Sequence, residues 1–111
     1  MAVYVRVLIP SKTAENTQTT QYTSTAVTTI IDKFTATNYG AAAATLSVNL
    51  VAALDNPGNT NLIVNAVSLQ PGQTYLFPEL IGHVMVSGGT ISTIASASST
   101  LNIRSSGRTI S

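Results

Sequence analysis

From Ala44 to Leu50 the chain alternates apolar and polar residues at every step: Ala, Thr, Leu, Ser, Val, Asn, Leu. A period of two places Leu46, Val48 and Leu50 on one face and Thr45, Ser47 and Asn49 on the other. That is a half-buried strand, and it excludes an amphipathic helix, whose apolar residues recur every three or four positions. The same period runs through residues 2–9, with Val3, Val5, Val7 and Ile9 on one face and Tyr4, Arg6 and Leu8 on the other. Pro10 ends that run, since it has no N–H to give a ladder. Further β-rich runs occupy 27–37, 61–69, 74–77, 80–86, 90–95 and 100–104. Between them stand turn signals: Asn38-Tyr39-Gly40, Asp55-Asn56-Pro57-Gly58-Asn59, Gln70-Pro71-Gly72-Gln73, Ser87-Gly88-Gly89 and Ser105-Ser106-Gly107. Roughly eight short strands with turns about every eight to twelve residues predict an all-β fold, an antiparallel β-sandwich of Ig-like or jelly-roll type.

Two stretches break the pattern. Ile30-Ile31-Asp32 carries a double apolar pair, which a β-bulge or two short strands would explain. Residues 11–25 read SKTAENTQTTQYTST, with Tyr22 the only large apolar side chain. Such a stretch contributes little core and reads as a linker or surface connection. The expected organisation is an amino-terminal strand or arm over 1–10, a Thr/Gln-rich linker over 11–25 and a sandwich domain over 26–111. The first strand either adds to the sheet of a neighbouring subunit or pairs within its own sandwich.

Chemistry is sparse. There are no cysteines, which removes disulfides, thiolate metal sites and thiol nucleophiles. The single histidine, His83, has no Cys, His or carboxylate cluster near it in sequence, so it reads as a structural or interface residue. Glu15, Asp32, Asp55 and Glu79 are scattered; Asp55 reads as a turn residue and Asp32-Lys33 as part of an exposed cross-strand pair. No Gly-x-Ser-x-Gly elbow occurs, and Ser87-Gly88-Gly89-Thr90 lacks the lysine of a phosphate loop. No catalytic, cofactor-binding or metal-binding residues are therefore assigned, and the chain is not expected to be an enzyme. A net charge of +1 without basic clusters argues against nucleic acid. The Arg104 to Arg108 segment reads as a solvated turn. No run approaches the roughly 18 apolar residues of a membrane span, and the amino end lacks the layout of a secretory signal.

Only 8% of residues are charged, while Thr, Ser and Asn number 17, 12 and 8. Free monomers keep more charge on their surface to resist association. A neutral Thr/Ser surface instead predicts that much of it lies against other subunits. Phe34 and Phe77 are assigned to the core. Tyr22 and Tyr39 suit contacts outside the domain, since tyrosine joins a large apolar area to a polar tip. With Tyr4 and Arg6 they form the candidate subunit contacts. Six aromatics and no Trp leave little for a glycan reader.

The segments Ile30 to Asn38 and Leu46 to Val51 resemble the opening of small all-β bacteriophage virion proteins. The same likeness holds for Ser68 to Tyr75, Glu79 to His83, Gly88 to Ser92 and Leu101 to Gly107, and it covers about residues 22–110. The resemblance implies a sandwich that decorates or cements a capsid, with a neck or tail component as the alternative within that class. It also implies major capsid protein or other virion proteins as partners and a homo-oligomer, a trimer being favoured. The chain would be made in the host cytoplasm and end in the virion. A soluble module binding host-surface glycans is the alternative from another class.

Overall fold

A computed structural model describes residues 1–111. The chain forms nine strands: β1 (Val3–Thr13), β2 (Thr19–Thr23), β3 (Thr28–Asn38), β4 (Ala44–Val51), β5 (Leu62–Leu69), β6 (Thr74–Tyr75), β7 (Val84–Met85), β8 (Thr90–Ala95) and β9 (Leu101–Ile110). They make an antiparallel β-sandwich. One sheet runs β1-β9-β3-β6, with β7 also paired to β3; the other runs β2-β8-β4-β5. Most connections cross from one sheet to the other, so inward faces from both meet in one core. Leu46 and Val48 on β4 and Ile91 on β8 face Phe34 and Ala36 on β3 and Ile103 on β9.

Phe77 anchors the core. Its backbone is left-handed, with φ 46° and ψ 61°, just before Pro78 opens a 3-10 turn over Pro78–Leu80. Its ring meets Phe34 edge-on at 4.9 Å and Tyr75 at 4.8 Å, both fully or partly buried. Asn38 is fully buried where β3 ends. Its amide donates to the carbonyls of Ala42 and Leu69, and its oxygen accepts from the Gly40 N–H. Its polar atoms are thus repaid with partners in a dry site.

Residues 11–25 are not a bare linker. β1 continues to Thr13, and Thr19–Thr23 pairs with β8 as the edge of the second sheet. The crossing between them is tied to both sheets. Ala14 N–H donates to Leu101, the Glu15 carbonyl accepts from Ala95, and the Gln18 and Gln21 amides reach Ser92 and Thr93. Threonine suits a strand as well as valine does, and amides supply hydrogen bonds in place of buried apolar area. A reading keyed to hydrophobicity misses such a strand.

Two further expectations change. Residues 80–86 give a 3-10 turn and only a two-residue β7, because Pro78 starts the turn and Gly82 takes φ 87°. Residues 105–107 are strand, not turn: β9 runs unbroken to Ile110. Gly107 is needed there for clearance. A Cβ at that position would collide with the Ile30 carbonyl oxygen and crowd Leu8. It stands beside the register shift between Ile31 and Lys33, so of the bulge and the two short strands that the paired isoleucines allow, β3 has the bulge.

Gly107→Ala is expected to destabilise the fold by about 1–3 kcal/mol, the range for overpacking a tight site, read as a lower urea midpoint. A second prediction concerns Glu15. Hydrogen bonds from Lys12 and Gln21 hold its carboxyl below the ordinary 4.5. A depressed folded pKa contributes stability above the unfolded value, and that contribution is lost as pH falls through the folded one. Wild-type stability should therefore fall more steeply than that of Glu15→Gln as pH drops below about 4.5, measured by urea unfolding across that window.

Candidate assembly surface

On the inner side of the sheet containing β9, β9 and β3 are buried through Thr109 and Thr29, while β1 is uncovered at Tyr4 and Arg6. Where β9 passes from Leu101 to Ser105 its inner face lies under the second sheet. Beyond that, Val3–Val7 of β1, Thr28–Ile31 of β3 and Gly107–Ile110 of β9 form a tip. Residues opposite one another on paired strands share a face. Val5, Arg108, Ile30 and Val84 accordingly make one row across four strands of the outer face. Val3, Ile110 and Thr28 make the next row, and Val7, Ser106 and Lys33 the one on the other side.

These valines are open to solvent. Val3 is 56% exposed, Val5 86%, Val7 51% and Val84 58%. On a half-buried strand the row of valines should face inward; here they face out, and Leu8 and Ile9 fill the core instead. The strand changes phase at a register shift between Val7 and Ile9. The adjacent apolar pair Leu8-Ile9 was the sequence sign of that shift, as Ile30-Ile31 is on β3.

One cation sits inside the apolar row without spoiling it. Arg108 donates to both carboxylate oxygens of Asp32 at 2.9–3.2 Å, so its charge is matched within the face. Hydrogen bonding to Asp32 pushes the guanidinium pKa up from its ordinary value. A bidentate pair fixes geometry more than it adds stability when both partners are exposed. Beside it, Lys33 and Arg104 line a cleft of about 200 Å³ with Thr35, Ser105 and Ser106.

Three of the four candidate contact residues gather at this tip. Tyr4 lies on the inner face, half exposed, with the Arg6 guanidinium 4.8 Å from its ring centre. Arg6 and Tyr22 line one cleft of about 300 Å³ with Thr23, Thr25, Val27 and Thr109. Tyr22 is mostly internal, its hydroxyl hydrogen-bonded to Thr29, which in turn meets the buried Ser24. Tyr39 lies at the far end, past Asn38, roughly 33 Å along β3 at 3.3 Å per residue. It is exposed and shares a hydrogen bond with Thr13.

The carboxylates are each engaged locally: Glu15 with Lys12 and Gln21, Asp32 with Arg108, Asp55 with the Asn56 N–H and Glu79 with the Tyr75 hydroxyl. His83 is exposed, and its backbone carbonyl accepts from Ile31. No group of three or more His, Cys, Asp or Glu side chains is placed to hold a metal ion. Comparison with protein-family models, curated proteins and solved structures finds no match to this chain.

Because Val84 is exposed and lies outside the core, Val84→Ser should leave the stability read from urea unfolding within about 0.5 kcal/mol of wild type. The same change should weaken binding of a hydrophobic dye such as ANS, which reports exposed apolar surface.

Proposed function

We propose that this protein is a structural component of a bacteriophage particle that binds the outside of the capsid and stabilises the shell. It works by adhesion and turns nothing over. The observation that supports the reading is the exposed aliphatic face of the tip, Val3, Val5, Val7 and Val84 with Ile30 and Ile110 between them. Contiguous apolar surface on a small domain marks an interaction site. The face is one side of a sheet and not an enclosed pocket, which suits a broad protein surface better than a small ligand.

Charge supports the same partner class. Arg108 is neutralised within the face, while Lys33 and Arg104 make no ion pair within the chain. A docking surface with aliphatic groups opposite the valines and carboxylates opposite Lys33 and Arg104 would complement it. Low overall charge keeps desolvation costs small when repeated copies pack closely. A glycan reader, by contrast, gathers flat aromatic rings at one place, and the exposed Tyr4 and Tyr39 lie at opposite ends. The virion setting itself rests on the sequence resemblance.

The test is copy number per particle, by quantitative mass spectrometry of phage purified from the source lysate. Hundreds of copies are expected, since only the shell lattice offers that many equivalent positions. About a dozen would overturn shell decoration in favour of a neck or tail ring. Absence from the particle would overturn the virion reading.

A further inference from the structure

We propose that the free edge of β1 pairs with the same edge of a second copy, around a two-fold axis through Val5. This names a partner for the tip described above and rests on the assembly reading only in placing contact there. β1 is the last strand of its sheet, so one side of it meets no other strand. Ala2 and Ser111 exchange both main-chain hydrogen bonds, and the register from there through Val7 is regular. In an antiparallel ladder such pairs alternate with pairs that point away. Tyr4 and Arg6 therefore bond to β9, while the N–H and C=O groups of Val3, Val5 and Val7 point into open space.

Native proteins blunt such edges with prolines, lysines and bulges. Here all of these lie further along the strand. The register shifts fall between Val7 and Ile9 and between Ile9 and Lys12, and Pro10 and Lys12 lie in the same stretch. Val3–Val7 is regular, and its one charged side chain, Arg6, lies over the ring of Tyr4.

Its sequence, Val-Tyr-Val-Arg-Val, is complementary to itself when reversed. Two antiparallel edges related by a two-fold must share an axis normal to the sheet, which keeps the outer face of both copies on one side. Centred on Val5, that axis sets Val5 against the partner's Val5 and Val3 against the partner's Val7. Each of these pairs exchanges main-chain hydrogen bonds. Tyr4 then stands opposite the partner's Arg6, in the closer, non-hydrogen-bonded type of pair. The Arg6 guanidinium already lies over an aromatic face within its own chain, and this register gives each cation a second ring. Centring on Arg6 would oppose two like charges, which is unfavourable across a ladder. Centring on Tyr4 would set Arg6 against Ala2 and lose the cation–aromatic pairing.

A two-fold pair uses both edges and closes at two copies, so a dimer replaces the trimer expected from sequence. Sedimentation equilibrium of the full chain over a range of concentrations should show a mass rising from 11.5 kDa to about twice that. Val5→Pro should leave it monomeric while circular dichroism and the urea midpoint report a folded chain, because the N–H removed faces away from β9. Register is read separately on a chain that has no cysteine of its own. Under a mild oxidant Val5→Cys should cross-link to a dimer, its Cα atoms being about 5.5 Å apart and within disulfide reach. Val3→Cys alone should not cross-link, whereas mixing Val3→Cys with Val7→Cys chains should. A monomer at every concentration, a trimer, or cross-linking through Val3→Cys alone would overturn the proposal. If these fail while particle copy number remains in the hundreds, the assembly reading stands and only the self-pairing falls.

Discussion

Everything at the exposed tip depends on the main-chain ladder that β9 makes along both of its edges. β1 lies on one side and β3 on the other from Ile110 back to Leu101, and each is held in antiparallel register. Leu101, Ile103, Ser105, Gly107 and Thr109 on the inner side of β9 are all buried, and so are Thr29 and Ile31 on β3; at the tip only β1 is exposed on both faces. Hydrogen bonds to β9 hold Val3–Val7 of β1, whose side chains are exposed on both faces. Gly107 is the position that permits this ladder. Any side chain there would meet the Ile30 carbonyl and force β3 and β9 apart.

The arrangement separates the residues that fold the molecule from those that face outward. Phe34, Phe77, Leu46, Leu69, Leu101 and Ile103 are fully buried around the Phe77 turn. Val3, Val5, Val7 and Val84 add little to that core and leave apolar surface in water, which carries a risk of association. The bulges, the proline and the lysine of β1 all lie beyond Val7. A chain with so few charges has little else to oppose contact, so contact at this end is favoured by both its side chains and its unpaired main chain.

Much of the fold was legible in the sequence because it rests on period two. The alternation over 44–50 gives β4, Phe34 and Phe77 mark the core, and Ile30-Ile31 allows either a bulge or two short strands, of which β3 has the bulge. What escaped was structure held by other forces. β2 contains no apolar residue except Tyr22 and is held by main-chain pairing with β8 and by amide hydrogen bonds. Gly107 looked like a turn signal, but its lack of a side chain serves a close approach between strands, which sequence spacing does not reveal. At the tip, Tyr4 and Arg6 were picked as contact residues from the sequence. The outward direction of the valines was not, since alternation separates two faces without saying which is buried.

β1 is held on one edge by β9 and open on the other between Val3 and Val7. Amide hydrogen exchange, resolved by residue with NMR in dilute solution, measures that directly. The amides of Tyr4 and Arg6 should be protected and those of Val3, Val5 and Val7 should exchange fast, an alternation along a single strand. Equal protection of all five amides in dilute monomer, or equal exposure of all five, would contradict it.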